Sequence, residues 1–475
     1  MRLKSALLAA LVLLAPALAP AQSRAELEKV IRRRVLANGL EVIVVENHGV
    51  PLATVEIDVK NGAFTQPPDY AGLAHMYEHM FFKASRDYPT PDQFAQRTTE
   101  LGAVFNGQTR EEVVNYYLTL PADSARAAMQ AMASALRWPL FREDELAREK
   151  EVVLGEYDRH ESNPTFGFQN EMNRRLYPGQ FSRKDLVGDR QVLRTVTPAK
   201  MREIQRRYYV PNNTALVVTG DVVPDSVFAW AQRYYGDWPR GEDPFRSAPI
   251  PPIPPLSERT VVISEAPVSA ISVLVQWQGP SVRRDRASTY AADVFSDALN
   301  TPGSRFQRRL VDSGLWQGVL FNYYTLDQVG PITVSGQVAP ERFKEAMAAL
   351  FDELRKVADA GYFSADELQN VKAQRAFESA MGAERTSGLT HTIGFWWSVA
   401  DLDYFMGYVD TMAQQTPADL QRYAARYIVG RPHVTGVLLS SDDRRRLGLT
   451  EQQLLAYSVE PAGRRAPSAP RRGGR

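Results

Sequence analysis

The chain of 475 residues contains no cysteine, which excludes disulfides, a thiol nucleophile and any metal site built from thiolates. Histidine is also scarce, with six residues in the whole chain, and any metal must be held by His, Asp or Glu. Beyond the N-terminus, no run of residues is apolar enough to predict a membrane span. The balance of 56 basic and 55 acidic residues gives no electrostatic reason to expect nucleic acid as a partner.

The N-terminus has the pattern of a secretory signal peptide. Arg2 and Lys4 precede an apolar run over residues 6–15, and residues 19–21 offer a cleavage site of small residues. We therefore expect residues 1–21 to be removed and the mature chain to be exported, either to a periplasm or out of the cell. An uncleaved membrane anchor is the alternative, but the apolar run is short for a transmembrane helix.

Prolines divide the rest of the chain into two halves. Seven of them lie between Pro239 and Pro255, a run that favours extended, stiff backbone. On each side, β-rich runs precede helical patterns and a closing strand, which indicates an internal duplication. We predict α+β architecture with a metal-binding domain at 24–238, a Pro-rich linker at 239–258, a second homologous domain without a metal site at 259–460, and a disordered tail at 461–475.

Periodicity locates the elements that matter most. The runs "LEVIVVEN" and "LATVEIDVKNGAF" predict two adjacent strands separated by a turn at 48–51. Residues 71–84 lack proline and repeat apolar residues at helical spacing, which predicts a helix. An acidic helix is predicted over 143–162, and a helix of the second half is predicted to end at Gly361.

The helix predicted over 71–84 carries "HMYEH", with His75, Glu78 and His79. Positions i and i+4 lie on one helical face, so the two imidazoles can share a metal ion, and Glu78 can flank that ion without being a ligand. This is the inverted form, H-x-x-E-H, of the H-E-x-x-H motif. A catalytic zinc takes three protein ligands and a water, and a nearby carboxylate moves the proton of that water to a leaving amine.

Two surface histidines on an ordinary helix are the alternative, but the apolar neighbours indicate a largely buried helix whose histidines need partners. The sequence must also supply a third ligand. The other histidines have no comparable spacing and are interpreted as structural: His48, His160, His391 and His433. The acidic helix offers five candidates among which spacing alone does not choose: Glu143, Glu145, Glu149, Glu151 and Glu156.

These residues resemble a known family. "GLAHMYEHMFFK", with "AREKEVVLGEYDR" further along the chain, is similar to the pitrilysin/insulinase family of zinc peptidases, which includes the mitochondrial processing peptidase. The segments "NGLEVIVVEN", "FNGQTREEVVNYYLTLP" and "YYVPNNTALVVTGDV" agree with this resemblance. It implies one Zn²⁺ per chain bound by His75, His79 and Glu156, with Glu78 as general base and Glu149 as an auxiliary acid that orients a ligand.

The resemblance also implies the fold and the mode of substrate binding. Each of two homologous domains is expected to be an antiparallel sheet covered by helices. Two such pairs of domains close like a clamshell around a peptide chamber, and the peptide adds a strand to a sheet edge. Asn106 falls at that edge and is expected to contact the substrate.

One departure from the family pattern affects catalysis. Active members need an Arg and a Tyr, seven residues apart, from the other half of the clamshell, and the corresponding positions here are Leu310 and Gln317. A shifted register that uses Arg308 or Arg309 does not restore the pair, because the residues seven further on are Leu315 and Trp316. We therefore expect a heterodimer in which a zinc-free sister chain supplies the pair, and a homodimer is the less favoured alternative.

The sequence thus predicts an exported zinc endopeptidase that cleaves unfolded peptides, with zinc-bound water activated by Glu78. The first alternative is a catalytically silent assembly subunit of the same family. The intact set of His75, Glu78, His79 and Glu156 argues against that alternative, because a silent subunit has no need of a base beside metal ligands. A different zinc hydrolase, such as an esterase, is the third hypothesis.

Overall fold

The computed structural model describes residues 23–382 and 386–459, so the predicted signal peptide (1–21) and tail (461–475) lie outside the described residues. The strands of the first half are β1 (Ile31–Val35), β2 (Glu41–Glu46), β3 (Leu52–Val59), β4 (Val104–Thr109), β5 (Val114–Pro121) and β6 (Thr214–Gly220). Its helices are α1 (Arg24–Val30), α2 (Leu73–Phe81), α3 (Pro91–Glu100), α4 (Ala125–Arg137), α5 (Glu143–Glu161), α6 (Pro164–Leu176), α7 (Arg190–Thr195), α8 (Pro198–Tyr208), α9 (Pro224–Tyr235) and α10 (Pro244–Ser247).

The second half repeats this alternation of strands and helices. Its strands are β7 (Thr260–Glu265), β8 (Ile271–Gln278), β9 (Gly318–Tyr323), β10 (Pro331–Val338) and β11 (Val434–Leu439). Its helices are α11 (Arg286–Asn300), α12 (Arg305–Gln307), α13 (Phe343–Leu354), α14 (Ala365–Gly382), α15 (Thr386–Val399), α16 (Leu402–Met406), α17 (Tyr408–Ala413), α18 (Pro417–Tyr427), α19 (Ser441–Leu447) and α20 (Glu451–Ser458). A π-helical turn, Arg308–Asp312, follows α12.

The two sheets share one strand order. The first runs β1-β2-β6-β3-β5-β4 and the second runs β7-β11-β8-β10-β9, so the second sheet repeats the first after β1. The predicted α+β class with two units of sheet and helices is confirmed. The sheets were expected to be antiparallel, but each is mixed, because β2 pairs with β6 and β7 pairs with β11 in parallel. The domain boundaries at 239–258 stay a prediction.

Two local predictions are wrong. The strands β2 and β3 are not neighbours, because β6 lies between them and pairs with both. All of β6 is buried, and an apolar strand of this kind needs a central place in the sheet. The helix that was predicted to end at Gly361 is α13, which ends at Leu354 and is followed by turns up to Gly361.

One helix of each half packs on the sheet of the other half. The first-half helix α6 packs on β7, β8 and β11, and the second-half helix α15 packs on β3 and β6. Apolar side chains fill both contacts: Met172 and Leu176 of α6 lie against Val434 and Leu438, and Ile393 of α15 lies in a cluster with β2 and β6. The halves therefore share buried surface rather than touching only through the linker. No helix within the described residues has the length and apolar character needed to cross a membrane.

The contact between β3 and α15 also buries acids. Glu56 and Asp58 on β3 have no exposed surface. Glu56 Oε1 accepts a hydrogen bond from Asn115 Nδ2 (2.6 Å), and its other oxygen is in hydrogen-bonding contact with His391 of α15. Burial raises the pKa of Glu56 to about 8 and raises the pKa of Asp58 as well.

These raised pKa values make the stability of the chain fall as the pH rises. The folded state keeps the Glu56 proton until about pH 8, whereas an unfolded glutamate loses its proton near pH ~4.3. Between those values the unfolded state binds fewer protons, so the free energy of unfolding decreases with pH. Between pH 6.5 and 8, we expect the melting temperature of Glu56→Gln to fall less steeply with rising pH than that of the wild type. This range lies above the ordinary histidine pKa of about 6.5.

Thermal unfolding followed by circular dichroism at several pH values tests this expectation. A difference of about 1 kcal/mol corresponds to roughly 2–4 °C in a domain of this size. Equal slopes for the wild type and Glu56→Gln would contradict it. Glu341→Gln, which replaces an exposed glutamate of the second half, is a control that should leave the slope unchanged.

Candidate metal centre

Helix α2 presents its apolar face to the core and its histidines to the opposite side. It begins after Gly72, whose φ of +91° is accessible to glycine at little cost, and it ends at Phe81, within the predicted 71–84. The buried face consists of Leu73, Ala74, Met76, Tyr77, Met80 and Phe81. His75, Glu78 and His79 are only partly buried and lie on the remaining face.

Helix α5 is held against α2 at its first turn. Phe141, just before α5, has a φ of +46° and packs its ring 5.3 Å from that of Tyr77. A non-glycine residue adopts this conformation only where packing enforces it. Glu145 Oε2 also accepts a hydrogen bond from the backbone N–H of Ala84 (3.2 Å), just beyond α2. The first turn of α5 is therefore tied to the end of the histidine helix.

Three ligand atoms converge between the two helices. His75 Nε2 and His79 Nε2 lie 3.3 Å apart, and Glu156 Oε2 lies 3.6 Å from the first and 3.5 Å from the second. Within the described residues, this is the only group of at least three His, Asp or Glu side chains whose ligand atoms lie within 4.8 Å of one another. The structure thus brings Glu156, rather than another acid of α5, to the two histidines.

The triangle has the dimensions of a zinc site. Zinc bonds of about 2.0–2.2 Å at tetrahedral angles place ligand atoms about 3.3–3.6 Å apart. The separations of 3.3, 3.5 and 3.6 Å fall in that range. Burial lowers the pKa of His75 to about 4, which favours the neutral imidazole that metals bind. The residues present therefore fit zinc, with one coordination position left for another ligand.

Glu149 contacts the back of His79. Its Oε2 lies 3.1 Å from His79 Nδ1, and its Oε1 lies 2.6 Å from Lys83 Nζ. Burial acts to raise the pKa of Glu149, but hydrogen bonds from His79 and Lys83 lower it overall, so the group is a carboxylate. A carboxylate that accepts a hydrogen bond from Nδ1 leaves the Nε2 lone pair of His79 directed at the ligand triangle.

Glu78 lies next to the triangle and outside it. Burial raises its pKa, against the effect of a hydrogen bond that Thr109 Oγ1 of β4 donates to Glu78 Oε2 (2.6 Å). A partly buried carboxylate one residue from a metal ligand is placed to accept a proton from a nearby water.

Asn106 lies on β4, the last strand of its sheet. Its side chain is exposed, and its Oδ1 accepts a hydrogen bond from the backbone N–H of Gly107 (2.9 Å). Val104 and Phe105 on the same strand are also exposed. The edge near the triangle is therefore open to solvent.

The remaining histidines do not belong to the triangle, and each has other contacts. His48 contacts Asp221 and Glu46, His391 contacts Glu56, and the His433 ring contacts the backbone oxygen of Arg431. His160 is exposed with its ring 5.9 Å from that of Phe166. These placements agree with their interpretation as structural residues.

The two positions expected for the Arg/Tyr pair hold one buried apolar residue and one exposed amide. Leu310 belongs to the hydrophobic core of the second half, with no exposed surface, and Gln317 is exposed. Arg308 and Arg309 are also exposed. None of these residues belongs to the ligand triangle.

Sequence reasoning did not identify Lys83, Gly107 or Thr109. Lys83 follows His79 by four residues, so the helical spacing that selected the histidines could have pointed to it. The strand β4, "VFNGQT", has little β propensity, and no pattern in it indicated that Thr109 meets Glu78.

Comparisons with known proteins agree with this geometry. Residues 41–186 match the family model of insulinase (peptidase family M16), and residues 195–375 match the model of the peptidase M16 inactive domain. An uncharacterized zinc protease of Rickettsia felis is 27% identical over 207 residues, which cover 44% of this chain and 50% of that protein. The uncharacterized zinc protease YmxG of Bacillus subtilis is 22% identical over 359 residues, which cover 75% of this chain and 85% of that protein.

A solved structure shows the same fold. The periplasmic protease PqqL from Escherichia coli matches with a TM-score of 0.76 and 16% identity, over 94% of this chain and 52% of that one. In their matches, this chain spans about half the length of PqqL and of the Rickettsia felis relative. The two family models together cover most of residues 41–375. The chain belongs to the insulinase family of zinc metalloproteases, peptidase family M16.

Proposed function

We propose that the chain is an exported zinc endopeptidase that cleaves unfolded peptides, and that His75, His79 and Glu156 hold one zinc ion. The observation that carries the proposal is the triangle of two imidazole nitrogens and one carboxylate oxygen with edges of 3.3–3.6 Å. Zinc in such a site lowers the pKa of a coordinated water and polarises a substrate carbonyl.

The neighbouring side chains have roles that follow from their positions. Glu78 accepts the proton of the attacking water and delivers it to the leaving amine, because its carboxyl group lies beside the triangle without belonging to it, whereas Glu149 is engaged by His79 and Lys83. Glu149 holds His79 with Nε2 facing the triangle, through the contact of 3.1 Å at Nδ1. Lys83 keeps Glu149 in place from its other oxygen.

The substrate is an extended peptide that adds a strand to β4. The exposed edge of β4 offers unpaired backbone groups, and Asn106 lies within it. A strand added in this way is recognised mainly through its backbone, so unfolded segments are better substrates than folded ones. Export to a periplasm is supported by the sequence of residues 1–21 and by the likeness to a periplasmic protease.

A zinc-free sister chain completes the site. Leu310 is buried and Gln317 is a neutral amide, so these positions provide neither a cation nor a phenol for the oxyanion. A sister subunit that carries Arg and Tyr would supply both across the chamber, and a homodimer would not.

Cleavage of a fluorogenic unstructured peptide by the purified mature chain is the primary test, with Glu78→Gln as control. We expect one zinc per chain and low activity that rises when a zinc-free relative from the same organism is added. Full chelator-sensitive activity from the chain alone would confirm the peptidase and refute the sister chain. A chain without zinc would favour the silent assembly subunit, and turnover of esters but not peptides would favour an esterase.

Substitutions should separate the metal ligands from the base. Glu78→Gln should retain one zinc and lower kcat by about 10²–10⁴-fold, because only proton transfer is removed. Glu156→Gln should lose zinc, because it replaces a charged ligand. Zinc content by atomic absorption and peptide cleavage check both. Loss of zinc from Glu78→Gln, or full zinc in Glu156→Gln, would contradict the assignment.

Lys83 should affect zinc affinity without touching the ion. Lys83→Met removes the contact of 2.6 Å with Glu149, so Glu149 holds His79 less firmly and zinc should bind about 10-fold more weakly. Lys83→Arg retains the charge and should bind zinc nearly as the wild type does. Competition with a chromophoric chelator measures the affinity, and an unchanged Kd in Lys83→Met would refute this role.

A further inference from the structure

Strand β4 contacts Glu78 at two points. Thr109 Oγ1 donates a hydrogen bond of 2.6 Å to Glu78 Oε2. A Cβ atom added at Gly107 would lie 2.8 Å from Glu78 Cγ and 3.2 Å from Glu78 Oε1, so the backbone of β4 approaches the carboxyl group where a side chain would not fit. Positions 107 and 109 share a face of the strand because side chains alternate along it, and that face is the one toward α2.

The position of β4 relative to α2 is fixed by packing. Gly107 pairs with Tyr116 of β5. The Tyr116 ring stacks on Phe81 of α2 with centroids 3.6 Å apart, and its hydroxyl is hydrogen-bonded to that of Tyr209 (2.7 Å). The strand that meets Glu78 is thus connected to the histidine helix through a buried aromatic stack, which resists sliding.

We propose that Thr109 and Gly107 are positioning residues that hold the Glu78 carboxylate in its productive orientation. The proposal rests on the role of Glu78 as base. The hydrogen bond from the Thr109 hydroxyl holds Glu78 Oε2 against β4 and so limits rotation of the carboxyl group. Gly107 leaves the space that Oε1 and Cγ need. A base that is misplaced by about 1 Å loses much of its effect.

The arrangement gives β4 two functions. The peptide is proposed to add at the free edge of β4, near Asn106. The face of β4 that packs on α2 orients Glu78. The same strand would therefore position both the peptide backbone and the Glu78 carboxylate. Disturbing Thr109 should consequently lower kcat while leaving KM nearly unchanged, because the peptide edge stays intact.

Crystal structures of the zinc-loaded wild type, Thr109→Val and Thr109→Ser provide a test that does not need activity. Valine has nearly the shape of threonine without the hydroxyl, whereas serine keeps it. We expect the Glu78 carboxylate to stay in place in Thr109→Ser and to move by about 1 Å or split between rotamers in Thr109→Val. An unmoved, fully ordered carboxylate in Thr109→Val would overturn the proposal.

Steady-state kinetics on the catalytically active assembly, with or without a sister chain, form the second test. Thr109→Val should lower kcat about 10-fold with KM and zinc content unchanged, and Thr109→Ser should behave nearly as the wild type does. Gly107→Ala should lower kcat in the same way. Equal losses in Thr109→Val and Thr109→Ser would overturn the proposal, because the hydroxyl would then not be the cause.

Glu78→Gln distinguishes failure of this proposal from failure of the proposed function. Wild-type kcat in Glu78→Gln would refute the base itself, whatever Thr109 does. If Glu78→Gln is impaired, Thr109→Val should add little in that background, since the group it orients no longer accepts a proton. A full additional loss there would show that Thr109 acts independently of Glu78 and would refute its positioning role.

Discussion

The constraint on which the site depends is the approach of three ligand atoms to within 3.3–3.6 Å of one another. Two imidazole nitrogens with free lone pairs and a carboxylate oxygen repel one another at such distances unless a cation or shared protons lie between them. Partial burial increases that repulsion because little water screens it. The contacts around the triangle oppose it: the strained Phe141 and the Glu145 bond to Ala84 fix the start of α5, and Glu149 fixes the ring of His79. Packing thus holds the three candidate ligand atoms close together, as a zinc site would require.

The exchange of helices between the halves extends this rigidity. Helix α5, which carries Glu156, ends at Glu161. Helix α6 begins at Pro164 and packs on the second sheet, so the second half restrains the far end of α5. In return, α15 covers the face of the first sheet that bears Glu56 and Asp58. Covering those acids costs stability at neutral pH, since they are forced to keep protons. The second half therefore supports the helix that carries Glu156, one of the three candidate ligands.

The sequence predicted which side chains of the candidate site lie together better than it predicted the topology. The spacing of His75 and His79 determines a shared face within one helix, so local periodicity was enough to predict their pairing. Choosing Glu156 among five acids required the resemblance to a family, because the register between α5 and α2 is set by tertiary contacts such as Phe141 against Tyr77. The pairing of β6 between β2 and β3 is a long-range choice that no local pattern encodes. The contacts of Lys83 with Glu149 and of Thr109 with Glu78 were missed for the same reason, since each joins residues far apart in sequence.

The second half also bears on the choice between a heterodimer and self-association. Leu310 fills the core beneath the π-helical turn, with no exposed surface. An arginine at that position would bury a guanidinium among apolar side chains without an acidic partner, and the cost of that burial is several kcal/mol. Leu310 is therefore part of the packing, and an arginine in its place would disturb that core. We therefore propose that groups from another chain complete the oxyanion site, and we favour a heterodimer over self-association because a second copy would carry the same Leu310 and Gln317.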